Sequence, residues 1–421
     1  MLDTLKTLHS LGIHEGEVFH LKQSTTAYEY SADSLKLKNS GTDEGFGVRV
    51  LEGRKLGFSY STSKSRAGEG AWAALSLSKF SKETGFSFAQ PGKYLPAPAY
   101  DPKAAEIGEE DLRDMVYAIA GGVEKHAEVV RIVLANETAE TAIANTCLLF
   151  AQEKGTSFMA YAEAKSGQGY GFDDYSHFRM LEDPAALGER AGIMAKEMRS
   201  PGKLPTGKYS VIFSTETLSS LFGLLAYSFS GELNRRKISK LWDKEGQKLF
   251  DQRLTVWDDP FADAEARSAF DAEGVPSQKI PLIEAGVVRN FYYNREAAAL
   301  AGLDKGGNCA RSGYSSPPSL GSSNTVISTG DSEPEAELAK YVYIESMHGL
   351  HTANTTTGDF GAEVSVAFLN EKGGKKPVRG FMVSENIFNL FSKIECIGKQ
   401  QEQSGDFVSP KIAFSGVSLV S

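Results

Sequence analysis

The chain has 421 residues, 41% of them hydrophobic and 24% charged, with a formal net charge of −9 at pH 7. That length suits two domains, or three, since domains commonly hold roughly 100–200 residues. The acidic balance, 54 Asp and Glu against 45 Lys and Arg, opposes a nucleic-acid partner, because that binding relies on Lys and Arg neutralising phosphates.

The opening "MLDTLKTLHSLGIHEGE" lacks a cationic segment followed by an apolar one, so no signal peptide is expected. No run approaches the ~20 apolar residues of a membrane span, which argues against a membrane partner. Cys147, Cys309 and Cys396 lie far apart and form neither a disulfide framework nor a Cys-x-x-Cys zinc knuckle. A soluble, cytoplasmic protein is expected.

Residues 16 to 60 read as a meander of strands: Phe46, Val48 and Val50 alternate, "EGRK" turns, and Leu56, Phe58 and Tyr60 resume. A small-residue helix near "AGEGAWAALSLSKF" precedes the proline-rich loop "PGKYLPAPAYDP". Leu112, Val116, Ile119 and Val123 make a helical stripe over about 109–126. "VVRIVLAN" and "SFMAYAEAK" read as strands and "AALGERAGIMAKEM" as a second long helix. The boundary is placed in "RSPGKLPTGK" (199–208), which gives domains of 1–200 and 206–421.

In the second half, the strand "YSVIFS" leads to a helix bearing Leu218, Leu221, Leu225 and Phe229, with Gly231 as its stop and Arg235, Arg236 and Lys237 beyond. A turn-rich region spans 250–340. "EVSVAFL" and "VRGFMVS" are strands joined through "NEKGGKKP". Ser384 is expected to cap a helix carrying Ile387, Leu390, Phe391 and Ile394 that Gly398 terminates. "SPKIAFSGVSLVS" closes the chain as a strand. The fold class is α+β: an N-terminal mixed domain with a meandering sheet and a C-terminal β-rich domain with a few helices.

The chemical signals are few. Gly45 and Gly47 in "EGFGVRV" do not sit between a strand and a helix, as a phosphate cradle requires. "YSFSGE" places Ser228 and Glu232 where a nucleophile elbow centred on Ser230 needs glycines. Cys309 in "GGNCARSG" has an arginine nearby that can lower a thiol pKa, set against a structural cysteine. Asp258, Asp259, Asp263, Glu265, Asp271 and Glu273 lack the spacing of a calcium loop and read as a solvated turn. In "YIESMHGLHTAN", Glu345, His348 and His351 share a face only if the segment is helical. Tyr341, Val342 and Ile344 favour a strand, which separates them. They remain an alternative metal site.

Several stretches together resemble the TldD/PmbA family, also called modulator of DNA gyrase: "GFGVRVLEGRKLGFSYS", "DDPFADAEARSAFDAEGVPSQKIPLIEAGVVRNFYY", "GNCARSG", "TTTGDFGAEVSVAF" and "IGKQ". They cover most of the chain. The resemblance implies two domains and a heterodimeric zinc peptidase acting on unfolded peptides. In its catalytic subunit, TldD, a helix bears His-Glu-x-x-x-His before a Gly-Asp-Phe-Asn-Arg-like stretch, and a later cysteine completes the zinc site. Two imidazoles bind zinc and the glutamate takes a proton from metal-bound water. Here "GELNRR" resembles that stretch, with Gly231 and Asn234 setting the register. The histidine positions then fall on Phe222 and Tyr227 and the glutamate position on Gly223. No histidine occurs from 178 to 347, and the C-terminal "SGDFVSPKIAFSGVSLVS" has no cysteine; Cys396 lies upstream.

That departure is the pattern of the other subunit, TldE or PmbA. The resemblance therefore implies a zinc-free chain without catalytic residues of its own, paired with a TldD-like catalytic subunit or with itself, and binding peptide. Zinc is expected in the TldD-like partner. One alternative is an autonomous homodimeric hydrolase using a metal at Glu345, His348 and His351, or the Cys309 thiol. Another is a stand-alone peptide-binding scaffold. The acidic charge does not support a direct nucleic-acid function.

Overall fold

Alternating apolar residues build three long strands near the N-terminus: β1 (Gly16–Ser31), β2 (Ser34–Glu52) and β3 (Lys55–Ser61). The computed structural model describes residues 2–10, 12–63 and 66–421. In it, these strands join β4 (Glu128–Asn145), β5 (Phe150–Ser166) and β6 (Gly169–His177) in one antiparallel sheet, order β3-β2-β1-β4-β5-β6. Helix α1 (Leu2–Ser10) precedes β1, and α2 (Ala67–Ser78) covers β2 and β3. Along the last turns of β2 the two faces have different neighbours. Phe46, Val48 and Val50 pack with Ala71 and Ala74 of α2. Gly45, Gly47 and Arg49 meet the C-terminal half instead.

After α3 (Pro102–Glu106), α4 (Glu109–Glu124) and α5 (Pro184–Glu197) pack on β4 and β5 through the stripe Leu112, Val116, Ile119 and Val123. The two helices touch almost backbone to backbone. A Cβ on Gly188 would lie 1.9 Å from the Ile119 carbonyl oxygen, so only glycine fits there.

The chain then leaves α5, passes through 199–206 and enters a second, 11-stranded sheet. Its elements are β7 (Gly207–Phe213), α6 (Thr215–Ala226), α7 (Gly231–Arg235), β8 (Val256–Asp258), β9 (Ile280–Glu284), β10 (Val287–Val288) and α8 (Arg295–Leu300). The small pair β11 (Cys309–Ala310) and β12 (Ser319–Leu320) stands apart, before β13 (Thr325–Ile327) and α9 (Pro334–Glu337). The last elements are β14 (Lys340–His348), β15 (Asp359–Glu371), β16 (Gly374–Val378), β17 (Met382–Asn386), α10 (Ile387–Ser392), β18 (Ile394–Ser404) and β19 (Phe407–Val420).

The main path runs β10-β9-β8-β13-β19-β17-β15-β14-β7, and β19 also pairs with β7. Strands β19, β17, β15, β14 and β7 therefore form a closed ring. The aromatic core, with Phe213, Phe222, Phe391, Phe407 and Phe414, belongs to this half. The fold is α+β, as expected, and the N-terminal meander and the long helices lie where the periodicity puts them.

Two helix ends differ from the sequence reading. Gly231 starts α7 rather than stopping a helix; the break comes at Ser230, whose Oγ accepts the N–H of Leu233. A Cβ on Gly231 would lie 2.2 Å from the Tyr293 ring, so the glycine serves packing. Asn386, not Ser384, caps α10. Ile394 begins β18, which runs on through Gly398, because pairing with β19 overrides local helix signals.

Candidate functional site

Helix α6 is fixed at its first turn. Ser214 Oγ accepts the Thr217 N–H and donates to the Glu345 carbonyl at 2.8 Å, and Thr217 Oγ1 donates to the same carbonyl at 2.7 Å. With that end tied to β14, Leu218, Leu221, Phe222 and Leu225 turn inward. Phe222 meets Phe391 edge-on, ring centroids 6.0 Å apart, and Phe407 at 5.8 Å. Gly223 faces open space, with nothing within 4 Å of an added Cβ, and Tyr227 is 46% exposed. The three positions thus diverge: one ring in the core, one bare backbone on the surface, one phenol in solvent. A ring carbon face and an absent side chain offer zinc nothing, so these residues do not fit the family's metal.

Glu345, His348 and His351 are not brought together either. Glu345 is half-buried in β14, His348 is exposed at its end, and His351 is exposed in a short 3-10 turn beyond Gly349. Register shifts around Ser346 and the left-handed Gly349 (φ 98°) turn the segment away before His351.

The structure instead builds its charged centre between the halves. Arg49 on β2 stands opposite Glu17 on β1 and makes a two-pronged bond to it, Nε to Oε1 at 2.9 Å and Nη2 to Oε2 at 2.8 Å. Its remaining nitrogen, Nη1, reaches Glu273 Oε1 at 2.9 Å. Glu273 Oε2 accepts the Arg295 N–H, and Arg311 Nη2 donates to Glu17. All four charged side chains are at most 3% exposed. Phe86 and Phe88 stack on the Arg49 guanidinium, and Phe19 on that of Arg311. Burial opposes the Arg49 charge, but Glu17 and Glu273 outweigh it and hold the guanidinium above its usual range.

The segment carrying Glu273 corrects two expectations. The acidic run is only partly solvated: Asp263 is exposed, but Asp258 is 2% exposed, Asp259 8% and Glu273 1%. Asp258 accepts the Ser323 N–H and Oγ–H, both at 2.8 Å, and Asn308 Nδ2 at 2.7 Å; burial pushes it up to about 6. Asp263 pairs with Arg179, and Glu265 accepts from Ser176 of β6, so the run braces one half against the other. Cys309 is no lowered thiol. Burial, then Glu273 and Asp271, raise it far above the normal range despite the nearby arginines. Sequence reasoning passed over Glu17 and Arg49; the available signal was an arginine inside a strand run, 45–51, that reads as buried throughout.

One cavity adjoins this centre and a second lies apart from it, at the β5–β6 side of the first sheet. The first, of about 310 Å³, lies between Phe19 and Leu21 of β1 and the segments carrying Arg267, Phe270, Cys309 and Arg311. The other, of about 520 Å³, is a cleft between Tyr161 and Phe172 of the first sheet and His348, Glu363 and Arg379 of the second. At the cleft, burial and then Asp174, Glu345 and Asp173 push Glu216 up to about 7. Glu345 rises to about 7 and Asp173 to about 6, chiefly through burial.

The family models for the PmbA/TldA metallopeptidase match domain 1 at residues 16–78, the central domain at 101–199 and the C-terminal domain at 206–421. An uncharacterized protein of Methanocaldococcus jannaschii is 28% identical across 98% of this chain and 99% of its own length. A metalloprotease of Methanothermobacter thermautotrophicus is 26% identical across 86% of this chain and 83% of its own. The crystal structure of TldE from Thermococcus kodakarensis superposes with a TM-score of 0.90, at 22% identity, over 99% of this chain and 100% of that one. Among the described residues, no helix is long and apolar enough to cross a membrane.

Two outcomes are expected. Replacing Arg49 with alanine leaves Glu273 buried without a charge partner and Glu17 with Arg311 alone, and costs about 3–5 kcal/mol in urea unfolding. Arg131→Ala, on an exposed pair with Glu29, leaves the midpoint nearly unchanged. Equal effects from the two would contradict the buried network. The cleft carboxyls hold protons in the folded state that the unfolded chain releases at lower pH. Their contribution to stability is full below the ordinary carboxylate range and is lost as pH rises through about 6 to 7. Melting curves for Glu345→Gln should therefore fall less between pH 5 and about pH 8 than those of the parent; parallel curves would refute this.

Proposed function

Because this chain belongs to the PmbA/TldD metallopeptidase family, and its family helix carries no metal-binding side chains, we propose that it is a TldE/PmbA-type subunit. In this reading it supplies no catalytic zinc. It pairs with a TldD-like chain that holds the metal, and together they enclose unfolded peptide in the cytoplasm. The observation that carries the proposal is the divergence of Phe222, Gly223 and Tyr227 on α6. Helices of this type bind zinc only when their ligands converge; here the first ligand position is core.

A peptide-holding role finds support in the cleft between the sheets. Among the described residues, strand β6 pairs only with β5, and it borders that cleft through Gly169, Gly171 and Phe172. An extended peptide can add to such an edge through main-chain hydrogen bonds, with little demand on its sequence. The overall likeness to a TldE structure supports the same assignment at the level of fold.

Co-expression with the TldD-like chain of the same genome tests the pairing. The expected result is a complex of equal stoichiometry on size exclusion, with zinc in the partner. Separate elution, together with full peptide hydrolysis by the TldD-like chain alone, would contradict it.

A further inference from the structure

Three side chains that the proposed function does not use converge beneath the smaller interdomain cavity. Asp271, Glu273 and Cys309 each present a ligand atom, all buried, and these atoms lie within 4.8 Å of one another. Among the described residues, no other trio of His, Cys, Asp or Glu does so. At the outer limit of that spacing the centre of the triangle is roughly 2.8 Å from each atom. An inward movement of about 0.5–0.8 Å reaches zinc–sulfur and zinc–oxygen bond lengths of about 2.3 and 2.0 Å.

The Asp271 carboxyl supplies a second, independent observation. Its Oδ1 accepts the N–H groups of Glu273 and Val275, both at 2.9 Å, which fixes its orientation. Its Oδ2 is sealed from solvent and has no hydrogen-bond partner. A buried acceptor left unbonded is unfavourable and uncommon in folded proteins.

Charge and supporting contacts agree with a cation. Glu17 and Glu273 balance Arg49 and Arg311, and a divalent ion that displaces the protons of Asp271 and Cys309 leaves the buried set neutral. Each Glu273 oxygen has one hydrogen bond, from Arg49 or from the Arg295 N–H, and keeps a lone pair for a metal. Those bonds hold the ligand in place, as outer contacts do in metal sites. Asp271 and Cys309 also line the cavity of about 310 Å³, which offers an entry path and room for a water as fourth ligand.

We infer that Asp271, Glu273 and Cys309 form a buried site for a thiophilic divalent cation of the zinc class, joining the 271–273 turn to β11 beneath the interdomain cavity. The mixed thiolate and carboxylate set suits zinc or cobalt; magnesium and calcium take oxygen ligands throughout. The site lies on different elements from α6, and its role is to brace the turn that carries Glu273, and through Arg49 the first sheet.

The test uses the full-length, tag-free chain, stripped of metal and titrated with cobalt(II). The expected result is a single tight equivalent and a near-ultraviolet thiolate-to-cobalt charge-transfer band. Cys309→Ser should abolish the band, and Asp271→Asn, a second variant should the first fold poorly, should weaken cobalt binding by about tenfold or more. Cys147→Ser and Cys396→Ser should leave the band intact. Uptake below about a tenth of an equivalent by the folded parent chain, or a band that survives Cys309→Ser and is lost with either other cysteine, would overturn the site.

Discussion

The contact on which the two halves depend is the buried bond of Arg49 to Glu17 and Glu273, residues 32 and 224 positions away in sequence. Burying a charge is costly unless each donor and acceptor finds a partner. Here Arg49 uses all three nitrogens, and aromatic rings cover the guanidinium face. The neighbouring glycines follow from the same approach. A Cβ on Gly45 would enter the Tyr314 ring and one on Gly47 would strike the Tyr314 carbonyl oxygen, while the Tyr314 hydroxyl donates to Asp43 at 2.8 Å. The segment 309–314 can lie across β2 only because those positions are bare. "EGFGVRV" is therefore a docking strip, with two glycines to clear the way and one arginine to hold what arrives.

Seen from that interface, α6 has become a structural element. Its N-terminus is hydrogen-bonded to β14, and its inner face fills a core of phenylalanines. A zinc helix has to present polar ligands toward a cavity, and burying an unpaired imidazole or carboxylate among apolar rings is unfavourable. Phe222 at this position avoids that conflict and adds aromatic packing against Phe391 and Phe407.

Much of the architecture was legible in the residues because it rests on local pattern. Phe46, Val48 and Val50 announce a strand by period two, and Leu112, Val116, Ile119 and Val123 a helix by period near 3.6. The family resemblance pointed to α6. What stayed hidden depends on partners remote in sequence. Asp258 and Glu273 look like solvent-facing acids in a turn-rich stretch until Ser323, Asn308 and Arg49 are placed beside them. The arginine beside Cys309 can lower a thiol pKa, yet Glu17 draws that guanidinium away and burial dominates. Ile394 and Gly398 carry helix signals that pairing with β19 overrides.

The most direct test of the account is peptide hydrolysis by the purified chain, alone and mixed with a TldD-like chain of the same genome, on an unfolded substrate. The account predicts no hydrolysis by this chain alone at any zinc concentration, and chelator-sensitive hydrolysis once the partner is added. Turnover by the chain alone, abolished by chelator and restored by zinc, would contradict it and return a reaction centre to this subunit.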